Sequence, residues 1–301
     1  MKKAHGYCRI SLGIAQVMIA TVAIDASAGE TLGRIERSGK VVLGVRTDSV
    51  PFSYTDASGK PIGYSMDLCT KLVEAIKAKV KQPDLKTEFL IVTPSSRFSA
   101  IVDGKADLDC GPTTNTAERR KLVSFTIPHF VATARMIVRT DSGIKNWSDL
   151  RDKTIVTTKG TTNATSIMER NNARALNLKL VEADSDSEAF QKLEKRLADA
   201  FAMDDVLLYG LKANSATPQS YDVVGDALTV EPYAIMFSKS DRELQLLVDK
   251  EMASIISSGD IYGLYEKWFT KPIPPRNVNL TMPMHPLLRS SFRFPSIGVG
   301  D

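Results

Sequence analysis

Histidine, tryptophan and cysteine are scarce in this 301-residue chain, which holds three, two and three of them. His5, His129 and His285 stand far apart, and no His, Cys, Asp or Glu grouping has metal-ligand spacing. A glycine-rich phosphate loop and a nucleophile–base pair are also missing, so nothing points to a resident metal, a cofactor or covalent catalysis. Charge of one sign is lacking too. The 39 Lys and Arg against 35 Asp and Glu leave only +4, spread along the chain, which excludes a basic footprint for nucleic acid. No apolar run is long and unbroken enough to cross a bilayer.

What is present begins with an export signal. Lys2, Lys3 and Arg9 precede a mostly apolar stretch, 10–24, and Ala26, Ser27 and Ala28 suit a small-residue cleavage site. Ser11, Gln16 and Thr21 interrupt that stretch, which argues against a membrane anchor. Residues 1–28 are therefore expected to be removed near Ala28, sending a soluble chain to the periplasm. Cys8 leaves with them. Cys69 and Cys110 remain, an even pair in an oxidising compartment, and a disulfide is the favoured reading. A buried pair of free thiols is the alternative.

The rest alternates short apolar strands with amphipathic helices. Strands are expected at 40–45, 87–92 and 106–110, with helices at 67–81 and 96–103 between them. Leu68, Leu72, Val73, Ile76 and Val80 share one face of the first helix. The rhythm returns with strands at 154–157, 178–182 and 200–203 and helices at 163–175 and 187–197. This predicts an α/β chain of two lobes, each a mainly parallel sheet flanked by helices. Strands at 132–139 and 233–238 flank the second pass and would carry the chain out and back. Residues 29–133 and 232–301 then form one lobe with its tail, and 134–231 the other. Helices are expected at 242–258 and 262–269, ended by Pro272, Pro274 and Pro275.

The segment DCGPTTNTAERR, 109–120, carries the most chemistry. Thr113, Thr114 and Thr116 offer hydroxyls in a turn, and Arg119 offers a planar fork of donors. Such a cluster grips a small carboxylate.

Several segments together resemble the family 3 solute-binding proteins of polar amino-acid ABC importers, in particular the glutamate/aspartate-binding members. They are VRTDSVPFSY (45–54), GYSMDLC (63–69), CGPTTNTAER (110–119), KGTTNA (159–164), AFAMDD (200–205) and KWFTKPIPP (267–275). The resemblance implies a type II periplasmic binding fold, with two hinge strands and a ligand trapped between the lobes. It implies that Arg119, supported by Thr114, clamps the α-carboxylate, with the N–H groups of Gly160, Thr161 and Thr162 at a helix start serving the same anion. A plain helix N-cap is the other reading of that Gly-Thr-Thr turn. It further implies that Asp204 holds the α-ammonium, Asp205 being the expected helix cap, and that Arg46 and Arg97 face the ligand side chain. An Arg opening a helix is unfavourable for the dipole, so Arg97 is expected to have another task.

The chain also departs from the acidic-binder pattern. Pro94 and Pro112 stand where serine is common, although the Pro112 carbonyl can still accept from the ammonium. Asp186 stands where a histidine meets the distal carboxylate. Phe52, Tyr54 and Tyr233 are candidate cleft walls, although aromatics in such positions are more often core, while Trp147 and Trp268 read as structural.

The expected function is therefore capture of L-glutamate or L-aspartate by lobe closure, by a monomer that docks on an inner-membrane ABC permease. The alternatives are a binder of a neutral polar amino acid such as glutamine or asparagine, a periplasmic dehydratase-like enzyme on the same fold, and a sensor that signals ligand occupancy to a separate chain. The only carboxylate to test as an acid is Glu118, for which a helix-start ion pair is the simpler role.

Overall fold

A computed structural model of the chain describes residues 30–239 and 241–296. The expected signal, 1–28, lies outside the described residues.

The first lobe starts with helix α1 (Glu30–Ser38) and strand β1 (Lys40–Val45). A small hairpin sheet follows, β2 (Asp48–Ser49), β3 (Ser53–Thr55) and β4 (Pro61–Ile62). Helix α2 (Tyr64–Val80) buries Leu68, Cys69, Leu72, Val73 and Ile76, the apolar face read from the sequence. Then come β5 (Lys86–Ile91), α3 (Arg97–Val102), β6 (Leu108–Asp109), α4 (Ala117–Arg120) and β7 (Val123–Phe125).

Strand β8 (Phe130–Arg139) leads into the second lobe, built from β9 (Thr154–Thr158), α5 (Thr162–Arg174), β10 (Lys179–Ala183), α6 (Asp186–Glu194), β11 (Ala200–Asp204), α7 (Asp205–Asn214) and β12 (Tyr221–Val224). The chain returns through β13 (Val230–Tyr233) and β14 (Met236–Ser238). It ends with α8 (Arg242–Ser257), α9 (Asp260–Phe269), the short pair β15 (Pro272–Ile273) and β16 (Val278–Asn279), and α10 (Pro286–Arg293).

The two main sheets have orders β5-β1-β6-β14-β7 and β10-β9-β11-β8-β12. Each is parallel except for one strand, β14 in the first and β8 in the second, which runs against its neighbours. These two belong to the segments that cross between lobes. The first four residues of β8 pair with β13, and the remainder pairs with β11 and β12. Two crossing strands thus lie side by side.

Below the crossing sits an aromatic cluster. Phe130 stacks on Phe269 at 4.9 Å, and Phe269 on Tyr265 at 4.3 Å. Phe52 and Tyr64 meet the same group edge-on, an arrangement that adds to the burial energy. His129 is fully buried against Phe52 and Tyr64, and burial pulls its pKa down to about 3, so it remains neutral and structural. Phe52 and Tyr54 also belong to this core, with the Tyr54 hydroxyl donating to the Pro274 carbonyl, which corrects their reading as cleft walls. Both tryptophans are structural. Trp147 donates to the Asp226 carbonyl at 2.8 Å and Trp268 to Asp67 at 2.7 Å. Toward the end of the described residues, Leu288 and Phe292 of α10 are buried.

Asp241 joins the chain ends of the first lobe. One carboxylate oxygen accepts from Thr31 N at 2.7 Å, at the start of α1, and the other from Leu244 N at 2.9 Å, at the start of α8. Cys69 on α2 and Cys110 after β6 form a disulfide across 41 residues. Closing a loop of that length restricts the unfolded chain by roughly 4 kcal/mol in the chain-entropy description. Replacing both cysteines with alanine is expected to cost about 2–4 kcal/mol, read as a lower urea midpoint. An unchanged midpoint would show that the crosslink contributes nothing.

Candidate functional site

Each sheet delivers polar groups to the gap between the lobes from the carboxyl ends of its parallel strands, where α/β folds bind ligands. From the first lobe come Arg46, just past β1, Arg97 at the start of α3, and Pro112, Thr114 and Arg119 beyond β6. From the second come Thr161 and Thr162 at the start of α5, Asp186 at the start of α6, and Asp204 ending β11. All nine line one narrow cavity of about 10 Å³ together with Pro94, Met203 and Leu207. That is room for about one water molecule, so the lobes must part to admit a ligand. Gly160 borders it through its carbonyl.

Arg97 crosses the gap. Its Nη1 donates to the Pro94 carbonyl and its Nη2 to the Gly160 carbonyl at 3.5 Å. Its Nε has no hydrogen-bond partner among the described residues. Desolvation, then the neighbouring Arg119, pulls the Arg97 pKa down to about 9. Arg119 donates from Nη1 to the Thr114 carbonyl at 2.9 Å and lies over the Phe98 ring at 5.2 Å. Burial lowers its pKa, opposed chiefly by Glu231 and Asp204. Beneath the arginines lies Asp109. Thr113 Oγ1 donates to one of its oxygens at 2.7 Å, while burial raises its pKa.

At the start of α5, Thr161 occupies the cap position but makes no side-chain capping bond; its hydroxyl donates to the Thr158 carbonyl at 2.7 Å. The first N–H groups of this 13-residue helix therefore face the gap without a side-chain cap, which corrects the plain N-cap reading. The Thr162 hydroxyl donates to Glu231 at 2.9 Å. Asp204 accepts from Asn163 Nδ2 at 2.9 Å and from the Tyr233 hydroxyl. Desolvation, then the charge of Glu231, raises its pKa to about 7. Tyr233 is thus a buried donor to the site rather than a cleft wall. Asp205 is the first helical residue and not the cap; its carboxylate accepts from Thr133 N at 3.1 Å and Oγ1 at 2.7 Å, tying α7 to β8.

Asp186 is buried and accepts from Thr158 Oγ1 at 2.6 Å. Desolvation, then Asp48, raises its pKa to about 6, opposed by Arg46, the Thr158 hydroxyl and Arg97. Asp48 reaches across from the first lobe and accepts from Ser187 N, in the first turn of α6, at 3.1 Å. Glu118 lies outside the cavity, 79% exposed and paired with Lys121 at 2.5 Å.

The structure therefore gathers every ligand-contact residue expected from the sequence. Missed were Asp48, Asp109, Thr158, Asn163 and Glu231. Asp48 and Asn163 sit inside quoted segments, and their charge or amide was the available signal. Glu231 lies just before the strand expected at 233–238 and outside every segment singled out in the sequence.

Two α/β lobes joined by paired crossing strands around a small, charged, buried cavity make a two-lobed binding protein. The model of the bacterial extracellular solute-binding proteins, family 3, matches residues 41–271, and this chain belongs to that family. It is 38% identical over 284 residues to the L-glutamate/L-aspartate-binding protein of Pseudomonas aeruginosa, covering 94% of each chain. It is 35% identical over 287 residues to the glutamate/aspartate import solute-binding protein of Escherichia coli K12, covering 95% of this chain and 94% of that one. Among solved structures, it is similar to the solute receptor for L-cysteine of Neisseria gonorrhoeae, with a TM-score of 0.70 and 27% identity over 79% of this chain and 92% of that one.

Proposed function

We propose that this chain is the periplasmic substrate-binding component of an ABC amino-acid importer and captures L-glutamate or L-aspartate by lobe closure. The observation that carries this reading is the convergence of Arg46, Arg97 and Arg119 on one small cavity, opposite Asp204. Arg119, Thr114 and the N–H groups of Gly160, Thr161 and Thr162 take the α-carboxylate. Asp204 and the Pro112 carbonyl take the α-ammonium. Arg46, Arg97 and Asp186 meet the side chain. The relatives named for glutamate and aspartate support this ligand class.

Residues 29–133 and 232–301 make the first lobe and 134–231 the second, so the hinge falls where β8 and β13 pair. The ligand touches both lobes and thereby biases closure, as differential contacts must. The chain is exported, cleaved near Ala28, works as a monomer and docks on its permease.

Thermal shift on refolded, ligand-stripped protein tests the reading. A ligand at a hundred times its Kd adds about 2.7 kcal/mol to stability, so L-Glu and L-Asp should raise the melting temperature and basic amino acids should not. Asp48 and Asp186, beside Arg46 and Arg97, favour a second reading in which a neutral amide side chain fits this mixed-charge end. A shift with L-Gln or L-Asn alone would establish it.

Arg97→Ala is expected to weaken acidic ligands selectively. Losing one charge-assisted bond costs ~1.5–3 kcal/mol, or at least about tenfold in affinity. Calorimetry with L-Glu and L-Gln on this variant reads the selectivity, and an equal loss for both would remove Arg97 from the side-chain end.

A further inference from the structure

Around the cavity three guanidiniums, those of Arg46, Arg97 and Arg119, meet five carboxylates, those of Asp48, Asp109, Asp186, Asp204 and Glu231. The site is already rich in negative charge. Lodging an acidic amino acid there adds a further net charge of one in a space from which water is excluded. Buried like charges at this spacing do not all ionise. This favours a proton entering with the ligand.

Asp48 is fixed as an acceptor by the Ser187 N–H at the start of α6. Asp109 holds the Thr113 hydroxyl beneath the arginines. Asp204 accepts from two donors, Asn163 and Tyr233, and faces the ammonium. Glu231 accepts from the Thr162 and Thr229 hydroxyls. Asp186 differs. Of the five, only it and Asp204 line the cavity, and among the described residues it accepts from a single donor, Thr158 Oγ1, where Asp204 accepts from two.

The charged groups facing Asp186 from the first lobe are Arg46, Arg97 and Asp48. From its own sheet, β9 offers only Thr158 at this end, and Arg139 of β8 bonds the Leu193 carbonyl at the far end of α6.

We propose that Asp186 is a specificity-determining residue that meets the distal carboxylate of an acidic ligand in its protonated form, donating its O–H to that carboxylate, so that capture of L-glutamate takes one proton from solvent. This rests on the functional reading above and deepens it. The bond formed is O–H···O⁻ between two carboxyl groups flanked by Arg46 and Arg97, a short and strong type of hydrogen bond. A neutral amide ligand needs no such proton. Selectivity between acid and amide therefore depends on pH through one side chain.

The sign follows from linkage. Asp186 starts with a pKa of about 6 and must be protonated in the complex. The contribution of Asp186 to L-Glu affinity is therefore full below that value and falls about tenfold per pH unit above it, until the pKa of the complex is reached. Asp204 acts oppositely, because it must lose its proton to hold the ammonium of any amino acid. At pH 8 Asp204, with a pKa of about 7, is mostly ionised and Arg97, with a pKa of about 9, is mostly charged, so Asp186 carries most of the proton uptake there.

The test is calorimetry at pH 8 in two buffers of different ionisation enthalpy, which counts protons taken up per ligand bound, on the full mature protein and on Asp186→Asn. The amide keeps an acceptor for Thr158 and cannot take the proton. The wild type should take up close to one proton with L-Glu and close to none with L-Gln. Asp186→Asn should take up close to none with either, and should bind L-Glu more tightly than the wild type at pH 8. L-Glu binding with no proton uptake, or with uptake unchanged in Asp186→Asn, overturns the role of Asp186 and leaves the glutamate reading intact. Binding of L-Gln but not L-Glu at every pH removes the glutamate reading, and this proposal with it. The wild-type pH profile for L-Glu decides the matter without any variant, since a flat profile above pH 7 is incompatible with the proton uptake.

Discussion

Arg119→Ala should bind no amino acid at concentrations that saturate the wild type. The guanidinium lies half-buried over Phe98 and, among the described residues, donates to the Thr114 carbonyl alone, which leaves most of its fork available. It faces Glu231 and Asp204, the two carboxylates that bear most strongly on it. Removing it leaves a ligand carboxylate with neutral donors only, beside two negative side chains. Truncating one partner of a buried charged pair costs roughly 2–5 kcal/mol, which is about thirty- to several-thousandfold in affinity. Arg119→Lys should recover part of this, because the charge returns without the planar fork. Calorimetry with L-Glu, L-Asp and L-Gln measures the loss. Ligand-free melting temperatures check that the variants fold. Normal binding by Arg119→Ala would mean that the carboxylate sits elsewhere.

The same arginine shows why much of the site was legible in the sequence. Arg46, Arg97, Arg119 and Asp204 are charged residues at the ends of apolar segments, where a parallel sheet delivers its functional groups. Their type and place were compatible with a site, but their roles came from the family resemblance, since solvated surface arginines are the default reading without it. Asp48, Asn163 and Glu231 could not be read, because their partners are remote. Asp48 bonds a residue 139 positions away, Asn163 one 41 away, and Glu231 one 69 away. Only the folded chain brings these together.

The fold divides along a similar line. Strand β1 and helix α8 fall where the periodicity placed them, since each is long enough to show its own repeat. The strand expected at 233–238 is in fact two. β13 pairs with β8 at the crossing, and β14 pairs with β6 and β7 in the first sheet. The chain changes sheets at Ala234 and Ile235, both fully buried, and the apolar run gives no sign of it. The hairpin strands β2 to β4 and the strand β7 were not expected, because two or three residues carry no period.

Closure itself can be tested at Gly160, where the lobes approach closely beside the cavity. Gly160 has φ +78°, and a Cβ there would sit 2.9 Å from Ser95 Cα and 3.0 Å from the Pro94 carbonyl oxygen, both in the opposite lobe. Two costs therefore attach to Gly160→Ala. The left-handed backbone costs an L-residue roughly 1 kcal/mol or more, whether the lobes are open or closed. The overlap with Ser95 and Pro94 arises only on closing. A forced contact of that kind costs ~1–3 kcal/mol, about five- to hundredfold in affinity. Gly143 separates the two costs. It has φ +73° in the same lobe, and a Cβ there would meet nothing within 4 Å. Gly143→Ala should lower the ligand-free melting temperature about as much as Gly160→Ala, yet bind L-Glu like the wild type. Gly160→Ala should bind weakly and, at saturating L-Glu, remain more extended by small-angle X-ray scattering. Equal affinities for the two variants would mean that the ligand is held without this approach of Gly160 to Ser95. The binding energy would then come from one lobe, and the contacts assigned to Thr161, Thr162 and Asp204 would have to be withdrawn.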